Sequence, residues 1–125
     1  MKDINCIKVS ENYLFAGEND GAIHMYNIET GAELKTLNAP QINSPVSSIE
    51  NKGNEYLLTG HNDGTLNLFD IKKGKGSLIH SLKEIHTSKI VALKFESIEK
   101  YDFTFISSNE DGIVMNVFFS SKFKI

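Results

Sequence analysis

The 125-residue sequence has no tryptophan, one cysteine and only two prolines. With Cys6 alone, no intramolecular disulfide can form, which excludes a secreted disulfide scaffold. Its expected place is as a small apolar group on the first strand. Excess positive charge is also missing: 13 Lys+Arg face 16 Asp+Glu, for a net charge of −3. A duplex-binding protein needs a cationic footprint to displace counterions, so nucleic acid is not an expected partner. No apolar run approaches the ~20 residues that cross a bilayer as a helix, and Met1-Lys2-Asp3-Ile4-Asn5 lacks the apolar core of a signal peptide. The expectation is a soluble chain of a reducing compartment, cytoplasmic and at most peripheral to a membrane.

What is present is one hairpin written three times. Tyr56 to Ile71 reads YLLTGHNDGTLNLFDI: an apolar strand, an Asn62-Asp63-Gly64 turn and a strand alternating Leu66 and Leu68. Asp-Gly between two β-rich runs is a strong hairpin signal, because glycine accepts the positive φ that the tight turn needs. The same phrase occurs as Tyr13 to Ile28 and, more loosely, as Thr104 to Phe119. Asp20, Asp63 and Asp111 stand about 43 and 48 residues apart. A period near ~40–45 residues with four strands per unit is that of propeller blades.

In chain order, Ile4, Ile7 and Val9 open unit one at strand spacing, and Ala32 to Leu37 closes it with a short exposed strand. Asn38 to Pro45 holds both prolines and neither continues a ladder nor starts a helix. Unit two runs over Val46–Ile49, Tyr56–Gly60, Thr65–Ile71 and Leu78–Leu82. Unit three begins at His86-Thr87-Ser88-Lys89 and repeats the strand spacing through Ile90, Leu93 and Phe95, with Phe123 to Ile125 as the start of a fourth strand. No segment carries a helical period. The expected fold is all-β, a partial propeller of about three four-stranded antiparallel blades (residues 1–40, 41–85 and 86–125, the last incomplete) in one domain whose ring is not closed.

These features resemble the WD-repeat β-propeller family. Unit three matches through His86, Ser107 and Asp111, unit two through Thr59, Asp63, Gly64 and Phe69-Asp70, and unit one through Asp20, Gly21 and Tyr26-Asn27. Departures are the missing Trp, Ile42 at the His position of unit two, Ala16 in place of Ser/Thr, Val117-Phe118 in place of Trp-Asp, and Asn116 where an inward apolar group belongs. The resemblance implies structural turn and blade-locking roles for Asp20, Gly21, Thr59, Asp63, Gly64, His86, Ser107, Asp111 and Gly112. A His–Ser–Asp network is then expected only in unit three, the Asp carboxylate holding the imidazole. Within the family, Tyr56 to Ile71, the connector Lys83-Glu84-Ile85-His86 and the strand Gly112 to Lys122 resemble the N-terminal propellers of the vacuolar-protein-sorting subunit eight type, an endosomal tethering (CORVET) component.

Other chemistry finds little support. Set as EF-hand loops, the three turns place Asn27, Asp70 or Phe118 where a bidentate Glu is required. His24, His61, His80 and His86 have no metal spacing, and no Cys cluster completes a zinc site. His24 and His80 are expected on solvated strand faces and His61 exposed in a turn. Ser107, His86 and Asp111 are the residue types of a hydrolase, but the repeat puts them in a locking arrangement without an oxyanion hole. No cofactor, metal or catalytic residue is expected. The function implied is a non-catalytic protein-interaction scaffold, engaging tethering-complex subunits or a small GTPase system. The alternatives are a hydrolase- or quinoprotein-type propeller fragment, or a truncated gene product without independent function.

Three blades do not close a ring, since propellers close with about four to eight. If each end exposes on the order of 500 Å² of apolar surface, the missing burial is roughly 12 kcal/mol per face. That rivals the ~5–15 kcal/mol stability of a whole domain. Further blades or another chain are therefore expected to complete the arc.

Overall fold

The computed structural model describes residues 3–39, 43–83, 85–99 and 102–120. Ile42 and the stretch 121–125, where a fourth strand of unit three was expected to begin, lie outside them. Three antiparallel meanders follow one another. The first is β1 (Ile4–Val9), β2 (Tyr13–Glu18), β3 (Ile23–Asn27) and β4 (Glu33–Leu37). The second is β5 (Val46–Lys52), β6 (Tyr56–His61), β7 (Leu66–Asp70) and β8 (Ser77–Leu82). The third has three strands, β9 (Ile90–Glu99), β10 (Asp102–Asn109) and β11 (Val114–Ser120). The first strands of the sheets stand side by side, β5 between β1 and β9, so the sheets are blades that radiate from a common axis. Among the described residues the one helical element is a 3-10 turn, Lys72–Gly74.

The repeat is geometric as well as textual. Each β2–β3-type hairpin closes through the same two bonds: Glu18 N–H to Ala22 O and Gly21 N–H to Glu18 O, His61 to Thr65 and Gly64 to His61, Asn109 to Ile113 and Gly112 to Asn109, at 3.0 and 3.1 Å each time. The three glycines have φ of 91°, 89° and 88°. A turn followed by a left-handed glycine is the bulged hairpin that this loop length favours, and only glycine enters that region without steric cost. The turn then ties back to the axis: Asn19, Asn62 and Glu110 donate N–H to the carbonyls of Asp3, Pro45 and Lys89.

Between blades, period-2 alternation sends neighbouring side chains to opposite faces. Leu57 joins Phe69 and Ile71 in packing on Phe15, Ile23, Met25 and Leu37 of blade one. Leu58 joins Leu66 and Leu68 against Ile90, Phe95, Phe103 and Phe105 of blade three. Two glycines set the spacing. A Cβ on Gly17 would stand 2.7 Å from Val46, and one on Gly60 2.7 Å from Ile90, so each opening residue of an inner strand beds on bare backbone of the blade before it.

Blade two is buried on both sides; its neighbours are covered on one. Lys8, Phe15 and Met25 share a register row and face blade two, which turns Ile7 and Val9 to the opposite, leading face. Both are half exposed or more, at 61% and 50%. On blade three, Val114 pairs with Ser108 and Phe118 with Thr104, away from the buried Phe103 and Phe105, and this trailing face leaves Val114 67% and Phe118 65% exposed.

Candidate functional site

The site-bearing positions are the corners that close each second strand, and the registers show what stands opposite. Counting from Asp-Gly, Glu18, His61 and Asn109 are equivalent, as are His24, Asn67 and Met115. Thr36 lies opposite His24 and Ser81 opposite Asn67.

In blade two these positions form a buried, neutral chain. The Ser44 carbonyl can only accept, so His61 Nδ1–H donates to it at 3.0 Å. Nε2 is then the acceptor, facing Thr59 Oγ1 at 3.1 Å and Asn67 Nδ2 at 3.2 Å. Asn67 Oδ1 accepts from Ser81 Oγ at 2.7 Å. Burial holds His61 below the ordinary histidine pKa, opposed by the Ser44 bond and the nearby Asp63 charge. The expectation of an exposed His61 is thus corrected: it ends β6 with no accessible surface, because its position points toward blade one rather than out of the turn.

In blade one the same positions are ionic. His24 Nε2 lies 2.7 Å from Glu18 Oε1 and Nδ1 lies 2.6 Å from Glu33 Oε2. The Glu33 hydrogen bond chiefly raises the His24 pKa; desolvation opposes it, and the Glu18 hydrogen bond and the two carboxylate charges add to the rise. In blade three, Met115 offers no polar partner, and Asn109 Oδ1 folds back to accept from the N–H groups of Asp111 and Ile113.

The turn aspartates follow suit. Asp20 Oδ1 accepts from Ala22 N–H and Asp63 Oδ1 from Thr65 N–H, whereas Asn109 takes that part in the third turn. Asp63 N–H also binds Ser44 Oγ, fixing the loop that enters blade two. Gly64 is pressed against the loop that enters blade three: a Cβ there would lie within bonding range of the His86 carbonyl, and His86 N–H points to Gly64 O at 3.4 Å. His86 Nε2 meets Ser107 Oγ at 2.8 Å, both buried, and burial lowers the His86 pKa. Among the described residues no bond joins the Asp111 carboxylate to His86; Asp111 sits exposed at the turn. The structure therefore brings together Gly64 with His86 and His86 with Ser107, and Thr59 with His61 rather than with His86.

Chemically this suits rigidity more than turnover. Ser107 has no accessible surface, and among the described residues no three His, Cys, Asp or Glu side chains are grouped to hold a metal. Two open hollows lie on the surface, the first shared by all three blades and the second at the β1–β2 and β3–β4 turns of blade one. One of about 310 Å³ lies where the inner strands begin, with Asn19, Asn62 and Lys89 in its wall. The other, about 530 Å³, is lined by Glu11, Tyr13 and Glu29.

Comparison with known proteins settles the family. The family described as Vps8 beta-propeller matches residues 3–125. The chain belongs to it. Among solved structures, this Vps8-family propeller resembles the computationally designed Ika8 protein, with 25% identity and a TM-score of 0.76 over 94% of this chain and 33% of that one. It also resembles a chain of the Mitotic Checkpoint Complex (20% identity, TM-score 0.75, 99% of this chain and 36% of that one). A third is the Cps50 (Swd1) beta-propeller domain of Myceliophteria thermophila (15% identity, TM-score 0.66, 94% and 38%). Among curated proteins none matches the sequence. The chain spans about a third of the length of these solved chains. The family is one of β-propellers, and the solved chains share that fold. Among the described residues no helix is long and apolar enough to cross a membrane.

Sequence reasoning missed the His61–Asn67–Ser81 chain and the Glu18–His24–Glu33 pairings. The signal was available: aligning the units on Asp-Gly puts a polar residue two before and four after Asp in both of the first two units, and two polar residues at equivalent places on one face are partners.

Proposed function

We propose that this Vps8-family segment is a protein-interaction scaffold of endosomal vesicle tethering, engaging tethering-complex subunits or a small GTPase system at the cytoplasmic face of the membrane. The family match over residues 3–125 carries the reading. A rigid blade stack presenting variable loops suits recognition without chemistry. In this reading residues 1–125 act as one partial propeller domain. Asp20, Gly21, Thr59, Asp63, Gly64, His86, Ser107, Asp111 and Gly112 serve as turn-forming and blade-locking residues.

The exposed end faces support completion of the arc by further blades or another chain. Ile4 opens β1 as Val46 and Ile90 open β5 and β9, yet it is 49% exposed where they are buried. The two ends are not interchangeable. Ser108 occupies the position of Gly17 and Gly60, and Asn116 that of Met25 and Leu68, so the trailing face takes a neighbour of different shape from either internal one.

The test is direct binding of the purified chain to immobilised tethering subunits and Rab-type GTPases. Micromolar or tighter binding is expected to at least one. Folded chain that binds none of them, while binding subunits of an unrelated propeller complex, would move the function elsewhere.

A further inference from the structure

We propose that His24 is a proton-operated clasp holding the outer strand of blade one. The geometry carries this. One ring nitrogen faces a Glu33 oxygen at 2.6 Å and the other a Glu18 oxygen at 2.7 Å. A neutral imidazole has one N–H; its second nitrogen is a lone pair and would repel the carboxylate it faces. Both bonds exist together only with the imidazolium, which donates to each.

The three residues come from three strands: Glu18 from β2, His24 from β3 and Glu33 from β4. β4 is an edge strand with every residue but Leu37 exposed, and its ladder to β3 is interrupted by a bulge between Met25 and Tyr26. The clasp bridges that weak point. No cation faces it. Ile7 and Ala16 stand in its row on β1 and β2, the Tyr26 ring lies 6.4 Å away on β3, and Lys35 of β4 points to the opposite face, toward Gly76.

Loss of the proton releases one carboxylate. Glu18 is buried and retains the remaining N–H; Glu33, on the exposed strand, is let go. Thr36 Oγ1 sits 3.2 Å from Glu33 Oε2 and 3.3 Å from His24 Nδ1, so its hydroxyl turns from the first to the second. The hydroxyl of β4 then donates to the β3 side chain opposite it, as Ser81 donates to Asn67 in blade two. Since both carboxylates raise the His24 pKa, the clasp is closed below the ordinary value near ~6.5 and opens as pH rises through the folded-state value above it. The edge of blade one, beside the leading face, is thereby loosened as pH rises above the ordinary histidine range. This inference stands apart from the tethering reading.

The experiment is an NMR titration of the His24 ring in the 125-residue chain. Amide exchange of β4, corrected for intrinsic rates, is measured at pH 6 and pH 8.5. His24 is expected to titrate above 6.5, and protection of the Lys35 amide, which pairs with Met25 of β3, to fall about tenfold across that step while β8 is unchanged. His24→Asn should remove the step; Glu33→Gln should lower the His24 midpoint even if the first variant does not fold. A midpoint at or below 6.5, β4 protection independent of pH, or no response to Glu33→Gln would each overturn the proposal.

Discussion

Replacing Gly64 and Gly112 by alanine, separately, asks whether the inter-blade joint or the turn itself demands glycine. The two positions are equivalent in the repeat and nearly identical in backbone, with φ of 89° and 88°. An alanine forced into the left-handed region costs about 1–2 kcal/mol at either. They differ in what a Cβ would meet. At Gly112 there is nothing within 4 Å, whereas at Gly64 the new atom would overlap the His86 carbonyl, which is backbone and cannot swing aside. The loop entering blade three must then move, and with it the His86–Ser107 bond. Overpacking of this kind adds about 1–3 kcal/mol. The expected losses are therefore about 1–2 kcal/mol for Gly112→Ala and about 2–5 kcal/mol for Gly64→Ala. For a chain of this size each kcal/mol moves the melting midpoint by roughly 4 °C. Urea unfolding followed by circular dichroism, with an unchanged m-value, gives both numbers on one scale. Equal losses at the two glycines would refute the joint, leaving φ alone as the reason for glycine.

Two further outcomes follow from the polar joints. His61→Leu should cost about 1–3 kcal/mol at pH 7.5, because the Ser44 carbonyl, Thr59 hydroxyl and Asn67 amide are left unpaired in a dry site. Its folded pKa is depressed, so wild-type His61 stabilises fully above ~6.5 and loses that contribution as pH falls below it, opposite in sign to His24. A stability–pH profile of His61→Leu that keeps the wild-type acid loss would show that another group causes it. The Lys8–Glu50 bridge between blades one and two, at 3.2 Å, should yield under about 1 kcal/mol in a double-mutant cycle, since the lysine is exposed and salt-screened. A coupling energy well above that would mean the pair is far drier than it stands here.

The sequence by itself determined the strands, the turns and their period. Asp-Gly at Asp20, Asp63 and Asp111 fixes where each chain reversal falls, and the apolar run at Leu57-Leu58 with alternating Leu66 and Leu68 marks the strands on either side. These are local rules, with turn chemistry acting over four residues and pleating over two, so a linear reading captures them. Only the tertiary structure decided what each polar side chain meets. His61 and Asn109 occupy one position in the repeat, yet the first is wired to Asn67 and Ser44 and the second folds onto its own turn. Glu18 and His24 become an ion pair through register across the sheet, and His86 finds Gly64 across two blades. The His86–Gly64 contact joins residues that neither turn nor pleat relates, and it exists because each blade packs against the next.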